Sequence, residues 1–110
     1  DLINRGGEKI SAEEIENLIL SHPAVQNVAC VPMPDPILGE RTCAFIVPRG
    51  GKRVTLPELV RHLSELEIAK FKLPERVELI DELPLSPFGK VSKVTLTKRI
   101  AEKLRAEAGG

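Results

Sequence analysis

Apolar positions recur at helical spacing in three stretches of the chain and cluster at strand spacing between them. In SAEEIENLILSH, Ile15, Leu18 and Ile19 share one face, and Ser11 and Glu14 stand at capping-box spacing, which predicts a helix over 11–21. His22-Pro23 ends it, because the residue before a proline is pushed out of the α region. TLPELVRHLSEL repeats the pattern: Thr55 and Glu58 form a second capping box, Pro57 sits in the first turn, and Leu56, Leu59, Val60, Leu63 and Leu66 make the stripe. A third helix is predicted over VTLTKRIAEKLRAEA, where Leu96, Ile100 and Leu104 are spaced i, i+4, i+8, and the closing AEAGG reads as frayed. AVQNVACVPM and RTCAFIVPR, rich in Val, Ile and Cys and bounded by proline and glycine, read as strands flanking a PDPILGE loop, with ERVELI a third strand. At the start, DLINRGGEKI places a Gly6-Gly7 turn after a short apolar stretch and reads as a tight, hairpin-like loop.

This order predicts an α+β fold: a small, mainly antiparallel sheet covered by about three helices and preceded by a hairpin-like loop. The 110 residues make one domain, large enough to bury roughly 60 to 70% of its unfolded surface. Sixteen Lys and Arg balance sixteen Asp and Glu, and three Phe are the only aromatics. Neither a basic footprint nor a base-stacking platform for nucleic acid is present. No apolar run reaches the roughly 18 residues of a membrane span. Cys30 and Cys43 form no CxxC and have no histidine at ligand spacing, so they read as small apolar core residues rather than metal ligands or a redox pair. His22 reads as a helix-end residue facing the dipole, and His62, off the apolar stripe, as a solvated side chain.

One loop, LPLSPFGKVSK, carries a Gly-Lys pair bracketed by prolines. The phosphate-cradling pattern GxxxxGK[ST] fails here, since Pro84 stands where glycine is needed and Val91 where serine or threonine is needed. Either some other chemistry uses Lys90, or it is a solvated loop lysine.

INRGGEKISAEEIE near the start, PDPILGER in the middle and FKLPERVELIDELPLSPFGKVSK towards the end together resemble the C-terminal domain of the adenylate-forming enzymes. That superfamily includes acyl- and aryl-CoA synthetases, nonribosomal peptide adenylation domains and luciferases. The three blocks stand in the family's order and cover essentially the whole chain. NRGGEKISAEEIEN, LGERTCAF and GKVSK are most similar to the stand-alone 2,3-dihydroxybenzoate or salicylate AMP ligases of siderophore assembly. Two alternatives stay open: the C-terminal domain of an acyl- or aryl-CoA synthetase, and a free-standing, non-catalytic α+β binding module.

The resemblance implies that residues 1–110 are a lid on a larger N-terminal adenylation domain, absent from this chain. The family's Gly-Arg-x-Asp/Lys hinge is expected just before Asp1, and the isolated fragment is expected to be inactive. It further implies ATP and Mg2+ as cosubstrates, an aryl acid substrate, a phosphopantetheine thiol of an aryl carrier protein or CoA as acceptor, and work in the cytoplasm. Lys90 matches the catalytic lysine that reaches the carboxylate and the ATP oxygen, and Gly89 supports its loop. Gly6, Gly7, Glu8 and Lys9 match the thioester face, with Gly7 beside the pantetheine tunnel. Arg5 and Arg41 are the candidate carrier-protein contacts, as exposed cations. No residue is assigned to a metal.

Overall fold

The protein is described here from a computed structural model covering residues 1–109. Its frame is a long ribbon of two strands, β3 (Val25–Asp35) and β4 (Gly39–Pro48), paired antiparallel from Val25↔Pro48 to Asp35↔Gly39. Both are buried on both faces, which explains their nearly continuous apolar reading. Strand alternation then divides their side chains between two cores. Val28, Cys30, Ala44 and Ile46 face one side, and Ala29, Val31, Met33, Cys43, Phe45 and Val47 the other.

The first core is closed by α1 (Ala12–Ile19) through Ile15 and Ile19, and by α2 (Leu56–Glu65) through Leu59 and Leu63. Both predicted caps form: Ser11 Oγ accepts from the Glu14 amide and Thr55 Oγ1 from the Glu58 amide. The second core is closed by α3 (Lys93–Gly109), which buries Leu96 and Ile100. Its outer half is held electrostatically. Arg76 reaches Glu107 through two bonds of 3.0 and 2.6 Å and Glu78 at 2.7 Å, while Lys103 reaches Glu78 at 2.6 Å. The Glu107 and Glu78 carboxylates raise the Arg76 pKa further. Because of this grip the helix runs through AEAG, where a frayed end was expected; Gly110 lies outside the described residues.

DLINRGGEKI is more than a loop. It forms two strands, β1 (Leu2–Arg5) and β2 (Glu8–Ser11), paired from Leu2↔Ser11 to Arg5↔Glu8 and joined to the sheet at Arg5↔Gly39. With β5 (Arg76–Leu79) parallel to β4, the sheet has five strands, in the order β2-β1-β4-β3 with β5 beside β4. The predicted α+β fold, mainly antiparallel with three helices, is the observed one. The two buried thiols stand on opposite sheet faces, and burial pushes Cys43 up to about 12 and Cys30 higher still. No described helix is long and apolar enough to cross a membrane.

Both histidines differ from their sequence reading. His62 is half-buried, its ring edge-on to His22 at 4.9 Å and its Nε2 at 2.7 Å from Ser21 Oγ. His22 accepts the Ala24 amide at Nδ1 (3.0 Å), a bond that needs the nitrogen unprotonated, instead of serving as a cation at the helix end. Burial first, and His62 second, lower its pKa below the ordinary value. The unfolded chain therefore binds this proton more readily, so the stability that neutral His22 contributes is complete above about pH 6.5 and is lost as pH falls below it. Thermal melts between about pH 7 and pH 5 should show that loss, and His22→Asn, with an amide oxygen in place of Nδ1, should flatten it. An unchanged slope in the variant would assign the loss to other groups.

Candidate active-site loops

The Asn4–Lys9 turn is built by two glycines that both need positive φ, +57° at Gly6 and +95° at Gly7, as a two-residue hairpin requires. Asn4 Oδ1 accepts the Gly7 amide at 3.0 Å, and the Gly6 amide donates to the Leu38 carbonyl at 2.8 Å. A Cβ at Gly6 would stand 2.8 Å from Leu38 Cδ2, whereas one at Gly7 would meet nothing within 4 Å. Gly6 is thus the packing glycine, and Gly7 borders open space. Glu8 and Lys9 follow on β2, both exposed.

Arg5 and Arg41, 36 positions apart, meet at one carboxylate. Arg5 Nε lies 2.7 Å from Glu75 Oε1 and Arg41 Nη1 3.6 Å from Glu75 Oε2. Arg41 Nε also lies 2.9 Å from Asp35 Oδ1, a charge contact outside hydrogen-bond alignment. Asp35 holds the β3–β4 turn by accepting the Leu38 amide (2.8 Å) and the Ile37 amide (3.1 Å). The Leu38 amide foremost, with the Ile37 amide and Arg41, keeps its carboxyl below the ordinary value. The two arginines are therefore half-buried and paired, where free exposed cations were expected. Glu75, Asp35 and Leu38 escaped the sequence reading because their partners lie far along the chain or depend on the fold of the turn.

Lys90 stands at the tip of a second, self-closed hairpin. The Ser86 amide donates to the Lys90 carbonyl (2.7 Å), Gly89 to Ser86 (2.9 Å) and Ser92 to Pro84 (2.8 Å), and Leu85 bridges Val91. Gly89 has φ +80°, the conformation that turns the chain into Lys90. The Lys90 side chain is exposed and has no ion-pair partner among the described residues. Lys93 fixes the base of this hairpin, its Nζ pairing with Asp1 and with Glu16 Oε2 at 2.6 Å, while Glu16 Oε2 also accepts the Cys30 amide.

The two loops lie at opposite ends of the β3–β4 ribbon. The glycine turn is bonded at Leu38, whereas Leu85 and Val91 line a cleft with Gln26, Asn27 and Val47. From Gly39 to Val47 the strand advances about 26 Å, at about 3.3 Å per residue. A second cleft, lined by His22, Glu58, Arg61, His62 and Glu65, is not a nucleophilic site. The Ser21 hydroxyl donates to the Leu18 carbonyl at 2.6 Å, so towards His62 it can only accept and is not activated as a nucleophile.

Residues 14–90 match the model of the AMP-binding enzyme C-terminal domain. The chain belongs to that family. It is 51% identical over 106 residues to the 2,3-dihydroxybenzoate-AMP ligase of Bacillus subtilis, covering 96% of this chain and 20% of that protein. Among solved structures, apo MbtA of Mycobacterium smegmatis superposes with a TM-score of 0.85 at 37% identity, covering 90% of this chain and 19% of that one. An acyl-CoA synthetase of Brucella canis gives 0.85 at 32%, covering 94% and 20%. The chain thus spans about a fifth of the length of the curated relatives it matches.

The pairing at Glu75 has a measurable consequence. Its carboxylate side chain is 25% exposed, so Glu75→Gln should behave as the loss of surface ion pairs, lowering stability in a urea melt by about 0–1 kcal/mol. A loss of about 3 kcal/mol or more would mean that it acts as a buried pair.

Proposed function

We propose that this chain is the mobile C-terminal domain of an aryl-acid AMP ligase and serves its two half-reactions with its two loops. The separation of Lys90 and Gly7 to opposite ends of one rigid ribbon carries this reading, since one presentation of the domain cannot bring both to the same reacting centre. In the first half-reaction the aryl carboxylate attacks the α-phosphorus of ATP, and the bond to the bridging oxygen breaks to release pyrophosphate. The Lys90 ammonium, a point charge on a flexible stem, offsets the negative charge growing there. The hairpin from Pro84 to Ser92 holds no carboxylate, so Mg2+ would travel with the nucleotide and be held by the larger N-terminal domain.

In the second half-reaction the other loop faces the reacting centre. A phosphopantetheine thiolate attacks the aryl-AMP carbonyl, AMP leaves and a thioester forms. The open space at Gly7 gives the pantetheine arm room, and Glu8 and Lys9 flank its path. Arg5 and Arg41, gathered at Glu75 beside this turn, face the carrier protein. The likeness to the Brucella canis acyl-CoA synthetase supports CoA as the alternative acceptor. The enzyme is placed in the cytoplasm, where ATP is supplied.

In the full-length enzyme, Lys90→Ala should slow ATP–pyrophosphate exchange by about a hundredfold or more while thioester formation from supplied aryl-AMP survives. Gly7→Leu should do the reverse, because a side chain there fills the open space at a backbone angle that disfavours it. Equal losses in both half-reactions with unchanged thermal melts, or the reversed pattern in either variant, would overturn the assignment.

Arg5→Gln with Arg41→Gln should raise the apparent KM for an aryl carrier protein several-fold and flatten its salt dependence, leaving exchange intact. Unchanged loading at low salt would place the carrier dock elsewhere and make CoA the acceptor to test.

A further inference from the structure

Phe88 and Ile37 stand 90% and 89% exposed, more than any other large apolar residue described. Both sit on held backbone. Phe88 is two residues before Lys90, on the hairpin closed at Ser86, Gly89 and Ser92, and its own amide donates to Ser86 Oγ at 3.3 Å. Ile37 is at the far end of the ribbon, its amide held by Asp35 and its neighbour Leu38 bonded to Gly6. An apolar side chain projecting from a fixed turn among polar groups loses little conformational freedom on contact and is suited to be a contact anchor. One stands on the Lys90 hairpin, and the other on the β3–β4 turn to which the glycine turn is bonded.

We propose, on the strength of the two-loop reading, that Phe88 and Ile37 are alternating positioning residues that seat this domain on the larger body of its own enzyme. Phe88 packs there when Lys90 is presented, and Ile37 packs there when Gly7 is presented. That body is the occupant because the matched relatives are about five times the length of this chain, and because Phe88 shares the hairpin of Lys90 while Ile37 stands on the β3–β4 turn to which the glycine turn is bonded through Gly6 and Leu38. Seating one anchor exposes the other. Burying phenyl and sec-butyl groups contributes comparable amounts, so neither arrangement is held strongly and the domain can pass between them.

The test uses the full-length enzyme, with ATP–pyrophosphate exchange for the first half-reaction and thioester formation from supplied aryl-AMP with free phosphopantetheine for the second. Phe88→Ser should slow exchange about ten- to hundredfold and spare transfer; Ile37→Ser should slow transfer by a similar factor and spare exchange. Phe88→Leu and Ile37→Val should each restore most of the loss, with thermal melts unchanged throughout. Losses in both half-reactions for either variant, or in neither, would overturn the proposal. So would an Ile37→Ser defect seen with carrier protein and absent with free phosphopantetheine, which would assign Ile37 to the partner. Lys90→Ala measured in parallel separates the two ideas. If it slows exchange while Phe88→Ser does not, only the anchor fails; if it leaves exchange intact, the two-loop reading itself fails.

Discussion

The rest of the structure depends on the double burial of the β3–β4 ribbon. From Val28 to Val31 and from Cys43 to Val47 its strands have no solvated face, so the alternation of the pleat commits each of these residues to one core or the other. A slip of one residue would exchange the two sets, setting Phe45 against α1 and α2 and Ile46 against α3. The register is consequently fixed, and with it the separation of the ribbon's ends. Helices on both sides give the ribbon the stiffness of a three-layer body, so its end loops move with the domain as a whole.

At those ends the chain uses local chemistry to hold what the cores do not reach. The glycine turn takes two positive-φ residues, the Asn4 side chain and the Leu38 carbonyl. The Lys90 hairpin closes on its own backbone and is fixed at its base by Lys93 with Asp1 and Glu16. Both turns are ordered in advance by these bonds, which lowers the entropic cost of any contact made through them. The ion pairs around Glu75 and Arg76 are half-exposed, so individually they contribute little stability. What they add is position: Arg5 and Arg41 are brought together, and the last turns of α3 are laid against β5.

The sequence by itself determined the elements that rest on neighbours a few residues apart. Ser11 with Glu14, and Thr55 with Glu58, announce their helices because capping is local, and the strands announce themselves through runs of Val, Ile and Cys between breakers. The family blocks likewise single out Lys90, Gly89 and the NRGGEK turn. Only the tertiary structure decided that DLINRGGEKI pairs as two strands of the main sheet, that His62 leans on His22, and that AEAG remains helical through Arg76 and Glu107. The same holds for the meeting of Arg5 and Arg41 at Glu75, and for the placement of the two loops at opposite ends of the ribbon. These are contacts between residues tens of positions apart. Their energies arise only once the ribbon's burial has fixed where each element lies, and no periodicity or spacing within a short window encodes them.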